Sequence, residues 1–544
     1  MRPFFAPGRH RPRIFLPRIF QPRIFRSQTF IGNLLPRALI VGLLPALLPV
    51  SSQAADCPAA TVPELYDCLA SIVPGDRMLL SPGRYEVSTL SLEGVNGEPG
   101  LPIVLEGAGE GVEIVGTSPA NNVISLHDNH DLELRRLDVS FIGGADPTNN
   151  SVDAIKFETG VSHDILIEDC ILHDVGNVIV GAQAPEIYRV TLRRNELRNA
   201  GVCCVYWGYF EEEPKRYAHD CLIDQNLMTD CPADARSATG YGIQIKAGSY
   251  GNVIQDNVLM DVAGTSRAGI IVYHTAEAVG EPLRADNVIR RNVILRSRNE
   301  GIDAAAGAVI ENNLVIDAAN YGYYFQGRDG YTGPLKVINN TARLSTASGN
   351  DRGFMFSGWQ GVDERSVIAH NLSLMTTADL VAFRATDGVG GAIVAENLAF
   401  GTTDIAGVAL LSSPEQAVQS LSYGDPDFLF PVTGGPAVDA GSPSPAAADD
   451  FNGVTRDGLP DIGAYESTGG GNPGWTLQTA IKGEEEAGGD DGTGDGNDDG
   501  GDGCQARTQI WHGSMSSTRS SHHGHILPGL AMLGLWVRRR RASR

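Results

Sequence analysis

The chain has 544 residues, 42% of them hydrophobic, enough to bury one large core or two ordinary ones, which excludes disorder of the whole molecule. Its formal charge is −23, and between Ala55 and Trp475 only 26 Lys and Arg stand against 56 Asp and Glu. A body that acidic repels phosphate backbones, so nucleic acid is a poor partner, and it admits polyuronates only where a groove is locally basic.

The first 54 residues read as an address. "PRIFLPRIFQPRIF" (Pro12 to Phe25) is a five-residue repeat without an acidic residue. It precedes Arg37, the apolar run Ala38 to Val50 and Ser52-Gln53-Ala54, the pattern of a signal peptide cleaved after Ala54. Export to the extracellular space or the outer cell surface is therefore expected, and export permits disulfides. Cys57 and Cys68 flank a short amphipathic stretch, close enough to pair, and Thr61 to Ile72 is predicted to form a small helix closing the N-terminal end of the body. The remaining body cysteines, Cys170, Cys203, Cys204, Cys221 and Cys231, lack zinc-site spacing and read as buried thiols or a pair between neighbouring segments.

Sixty-five glycines and few aromatics suit short strands and turns, so the body, residues 55–475, is predicted to be all-β. One phrase recurs in it: an aliphatic residue, two polar residues, then Asn. It ends at Asn195, Asn226, Asn257, Asn292, Asn313, Asn371 and Asn397, with Leu137, Cys170 and Thr341 in the same slot. Successive slots lie 21 to 35 residues apart, which means a constant rung joined by variable loops. A rung with period-two runs such as Ile243 and Ile245 cannot bury its apolar face alone and must stack on neighbours, while Asn at one slot can bond along the stack. The prediction is a single-stranded, right-handed parallel β-helix of about ten or more coils.

"PGDRMLLSPGRYEVSTLSLEGVNGEPGLPIVLEGAGEGVEIVG" (Pro74 to Gly116) resembles the entry segment of β-helix polysaccharide lyases of the chondroitinase B and alginate lyase type. "DFNGVTRDGLPDIGAYE" (Asp450 to Glu466) is similar to the closing motif of secreted bacterial β-helix proteins. Beyond it, residues 476–503 read as an acidic Gly/Asp linker, whose Asp495 to Gly500 run imitates the start of a calcium loop without the closing glutamate. Residues 504–544 hold Cys504, the apolar segment Ile526 to Val537 and Arg538 to Arg541, which resembles the C-terminal sorting tags of myxobacterial surface proteins and implies attachment to the outer surface or membrane.

Alternation along the strands assigns an outward stripe. With Ile243 and Ile245 inward, Gln244 and Lys246 point out, and the same phase turns out Lys156 and Glu158, Val205 and Trp207, Ile271 and Tyr273, Asp303 and Ala305, and Tyr324 and Gln326. Lysine is scarce in the body, and a deprotonatable amine is what a β-eliminating lyase needs to remove the proton α to a uronate carboxyl. Lyases of the resembled family carry a lysine, an Asn-x-Ile-x-x-Asn rung, and Arg-His-Gly on the next rung. Here Lys246, the rung Asn252 to Asn257, and Tyr273-His274-Thr275 take those positions, with tyrosine where the family has its arginine acid. The resemblance implies Lys246, Tyr273 and His274 as catalytic residues, while the outward stripe and its edge offer Lys156, Glu158, Trp207, Gln244, Asp303, Tyr324, Gln326 and Arg328 as substrate-binding residues. It implies a polysaccharide substrate for a monomeric protein, no fixed cofactor, and calcium as the ion related lyases use. Two other readings compete: a surface β-helix that binds glycans without cleaving them, and a polygalacturonase-like hydrolase, which needs clustered aspartates where this stripe offers Asp303.

Overall fold

The computed structural model describes residues 55–183, 186–209, 215–277, 281–327, 333–345 and 352–483. The predicted signal segment, Arg328, the linker from residue 484 and the sorting tag lie outside the described residues.

Each coil of the chain lays down three short strands in turn, and each strand hydrogen-bonds in parallel to its counterpart one coil away. The result is an all-β solenoid with three parallel sheets. The first runs from Asp56–Ala59 to Ile393–Ala395, the second from Gly83–Val87 to Val408–Leu410, and the third from Leu90–Ser91 to Thr402–Thr403. A short helix, Val62–Leu69, lies within the Thr61 to Ile72 segment; Thr61 caps it, and Leu65 and Cys68 are buried. Cys57 and Cys68 form a disulfide, as expected, and Cys204 pairs with Cys231. Cys170, Cys203 and Cys221 are buried free thiols.

The recurrent Asn explains the turn between the first and second sheets. In every such turn from Arg136 (φ 51°) to Glu396 (φ 52°), the residue before the slot adopts the left-handed conformation that side chains other than Gly seldom take. Asn195, Asn226, Asn257, Asn292, Asn313, Asn340, Asn371 and Asn397 follow these residues, and each side-chain amide donates to the Oδ1 of the next, at 2.9 to 3.1 Å. Each ladder amide also bonds a backbone carbonyl, as Asn292 does to Ile254 at 2.8 Å, so the buried polar groups of the turn are satisfied coil after coil. Asn340, not Thr341, holds the slot in its coil: Val337, in register with Ile310, is the aliphatic residue of the phrase, so its Asn falls at 340, and Thr341 opens the next strand. Cys170 does occupy the slot, its N–H donating to Asn195 Oδ1 at 2.9 Å.

In-register parallel stacking places equivalent side chains of successive coils about 4.8 Å apart, so identical charges in a row would repel. The first sheet alternates them instead. Glu106 meets Arg77 at 3.2 Å, and Glu168 lies between Arg135 and Arg193. Along the second sheet, the outward row begins with Arg84, Glu113 and Asp138, mixes Ile171 with Glu196, and is apolar from Leu227 through Val258, Val293 and Leu314. The change coincides with cover: residues 411–483 fold back over these later coils, burying Phe428, Phe430, Phe451 and Tyr465 against Val293, Leu295, Leu314 and Leu372.

The motif Asp450 to Glu466 is the clasp of this strap. Arg456 is buried, and all three of its guanidinium nitrogens donate: Nη1 to Glu466 at 2.9 Å, Nη2 to Gly463 O at 2.8 Å and to Asn312 Oδ1 at 2.8 Å, and Nε to Asp449 O at 3.1 Å. Asn312 is itself a left-handed turn residue, so the strap is pinned to the turn line. The packed body continues past Trp475: Leu477 and Lys482 are buried, and Lys482 Nζ lies 2.7 Å from Asp256.

Candidate functional site

The third sheet carries the predicted stripe. Register places Lys156, Gly181, Tyr206, Gln244, Ile271, Asp303 and Tyr324 in one row. Two residues further along each strand come Gly208, Lys246, Tyr273 and Ala305. Tyr206, rather than Trp207, is the outward residue of its coil. Trp207 pairs with Ala182 and Ile245 and is fully buried, so it is core and cannot bind substrate from the surface. The error has a physical source: Val202 to Val205 is an unbroken apolar run with no alternation to fix the phase, and a slip of one residue exchanges the two faces.

Lys246 lies between two aromatic faces. Its Nζ is 5.6 Å from the centre of the Tyr206 ring and 5.4 Å from that of Tyr273, within cation–π range of both. Burial, followed by the neighbouring Tyr273, pushes the Tyr241 phenol above the ordinary range. The Arg267 guanidinium lies 5.8 Å from the centre of the Tyr241 ring. Gln244 and Ile271, outward in register, are nonetheless only 3% and 2% exposed. Gly208 makes the close approach possible. It has φ +91°, and a Cβ there would come within 2.8 Å of Ser249 Oγ and 3.1 Å of Lys246 Cβ.

The other predicted residues divide. His274 is fully buried, its backbone carbonyl accepting the Gly248 N–H at 2.8 Å, and does not stand open beside Lys246 as the resemblance implied. One residue past Tyr273, it takes the opposite face of the strand. Lys156 is committed within the protein: Nζ donates to Asp153 Oδ2 at 2.6 Å and to Gln183. Burial raises the Asp153 carboxyl, against the pull of Lys156, and Asn177 and Val178 also donate to it. Glu158 accepts from Asn122 and Ser125. Asp303 is only 3% exposed and accepts from Gln326 Nε2 at 2.9 Å, so these two predicted binding residues hold each other. The Tyr324 ring packs on Tyr321 at 5.0 Å.

Three participants, Tyr206, Tyr241 and Arg267, escaped the sequence reading. Tyr206 was lost to the phase slip. Tyr241 and Arg267 lie just outside their strands, where alternation assigns no face.

Glu158 and Asp303 stand five coils apart in the stack, on the order of 24 Å, too far to work as the paired carboxylates of a glycosidase. Among the described residues no group of three or more His, Cys, Asp or Glu side chains is placed to hold a metal ion, so calcium finds no carboxylate set there and no step is derived through it.

Fold and stripe together define a parallel β-solenoid with a cationic, tyrosine-lined patch on one sheet. No protein-family model matches the sequence, and no curated protein matches it. Solved structures similar to it include an alginate lyase from Paenibacillus sp. str. FPU-7, at 14% identity over 65% of this chain and 99% of that one, with a TM-score of 0.38. The PL6 family alginate lyase AlyGC is 14% identical over 69% of this chain and 55% of that one, at 0.37. Pectate lyase Pel9A is 12% identical over 74% and 90%, also at 0.37. Likeness at this level says nothing about chemistry.

Proposed function

We propose that the protein acts on a uronate-containing polysaccharide lying along the outward stripe of the third sheet and cleaves it by β-elimination. The observation that carries this reading is the Lys246 amine held between the ring faces of Tyr206 and Tyr273. Ring faces stack on sugars, a cation answers a uronate carboxylate, and a phenol hydroxyl can exchange a proton with a sugar oxygen. β-Elimination needs these elements together: Tyr273, as a phenolate, would take the proton α to the carboxyl, the Lys246 ammonium would meet the carboxylate and its developing enolate, and the Tyr273 phenol would then return the proton to the departing glycosidic oxygen. Lys246 and Tyr273 are the residues proposed to meet the reacting sugar. The proposed setting is outside the cell, on the strength of the signal and tag patterns in the sequence.

The test is the ultraviolet absorbance of unsaturated uronate products when the full chain is incubated with alginate, polygalacturonate and glycosaminoglycans. Product from at least one, lost in Tyr273→Phe, is the expected result. The burial of His274 and the commitment of Asp303 to Gln326 favour a second reading, glycan binding without cleavage. Saturable binding of one of these polymers with no product from any would establish it over the first.

A further inference from the structure

We propose that Lys246 and Arg267 together read the carboxylates of an acidic glycan, with Lys246 serving as a permanent ammonium and not as a base. The inference rests on the polysaccharide reading of the stripe but not on catalysis.

Both cations lie against tyrosine rings. Lys246 Nζ is 5.4 Å from the centre of Tyr273 and 5.6 Å from that of Tyr206, while the Arg267 guanidinium is 5.8 Å from the centre of Tyr241. Burial and then Tyr273 raise the Tyr241 phenol, which places the two tyrosines, and with them the two cations, in one neighbourhood. An aromatic face attracts an ammonium and gains little from a neutral amine, so two faces oppose loss of the lysine proton. The field of a chain of net charge −23 acts in the same direction. A general base must be neutral at its working pH, and this surrounding favours the charged form. Arg267 holds its charge at any working pH, and its head group is oriented by donation from Nη1 to Ser266 O at 2.9 Å.

Composition makes a local reader necessary. A polyanion approaching so acidic a body is repelled except where cations are presented. The tyrosine rings then supply apolar area for the sugar ring between its charges. The expected ligand class is a glycan with carboxylates on successive residues, and neutral glycans are disfavoured.

The experiment measures binding of polygalacturonate and of alginate to the full-length protein by calorimetry, alongside product absorbance, for wild type, Lys246→Arg, Lys246→Gln, Arg267→Gln and the double Gln variant. Unchanged thermal midpoints serve as the folding control. Lys246→Arg should bind within about threefold of wild type, and each single Gln variant should weaken binding about tenfold. The double variant should also lose most of the dependence on salt. Wild-type affinity in the double variant, or no binding of either polymer by wild type, overturns the proposal. So does a Lys246→Arg variant that binds normally but has lost a product-forming activity shown by wild type, because that marks Lys246 as the base. If the binding pattern holds and wild type forms no product, the lyase reading falls and the carboxylate reader stands.

Discussion

The turn line and the stripe, on different sides of the same coils, obey opposite rules. Along the turn line one residue type recurs, and Asn195 through Asn397 do the same work in every coil. Along the stripe no residue type dominates: apart from Tyr206 and Tyr324, the equivalent positions hold Lys156, Gly181, Gln244, Ile271 and Asp303, which share no chemistry. Repetition marks what every coil needs in order to stack. Departure from it, on an outward face, marks where the coils cease to be interchangeable and a site can arise.

This contrast can be broken by substitution, and the largest effect belongs to the turn side. Arg456→Met removes the guanidinium that ties the strap to Asn312 and leaves Glu466 buried without its partner, so the strap should lose about 3–5 kcal/mol. Limited proteolysis should then cut within residues 411–483 while the coils resist. Within the ladder, Asn292→Ala removes the acceptor of the buried Asn257 backbone N–H and the side-chain donor to the Ile254 carbonyl, and should cost about 3 kcal/mol by urea unfolding, with binding intact in the folded fraction. Equal tolerance of Ala at Asn292 and at an exposed residue would contradict the ladder's role.

A matched pair of substitutions sharpens the comparison. Tyr323 and Tyr273 differ only in the face they occupy. The Tyr323 hydroxyl is buried and donates to Asn313 O at 2.7 Å, so Tyr323→Phe should cost about 1–2 kcal/mol and leave glycan binding unchanged. Tyr273→Phe should cost less than about 1 kcal/mol and abolish product formation. The reverse pattern would move the site off the stripe.

Smaller effects come from the strap and the core. Burial pushes the Asp461 carboxyl up to about 6 in the folded protein, above its unfolded value. The stability this group contributes is therefore present at pH below about 4 and lost as pH rises through about 6, roughly 1–2 kcal/mol in all. Unfolding midpoints of wild type and Asp461→Asn should diverge across that window, and parallel curves would refute the assignment. Burial also pushes the thiols of Cys170, Cys203 and Cys221 to about 12. All three should resist alkylation at pH 8 in the folded protein and react in urea, as read by peptide mass mapping.

The fold was legible because stacking imposes the same demands on each coil: aliphatic alternation, a left-handed turn and an amide to satisfy it. The one misplaced slot, Thr341 for Asn340, arose where two adjacent aliphatic residues, Val337 and Ile338, could each begin the phrase, and register assigns it to Val337. The site was legible only in part. Lys246 stood out by rarity and Tyr273 by its place on the next coil. Trp207 was turned the wrong way because Val202 to Val205 carries no alternation. Tyr241 and Arg267 were invisible because their role depends on which coil's flanking residues arch over the next. Periodicity does not encode that.

The most direct test of the central claim is the position of a bound ligand. A crystal of the protein soaked with a short uronate oligosaccharide should show a carboxylate against Lys246, with sugar rings over Tyr206 and Tyr273. Sugar bound elsewhere, for example in the roughly 820 Å³ cleft lined by Tyr423 and Trp475 on the strap, with the Lys246 patch empty, would contradict it.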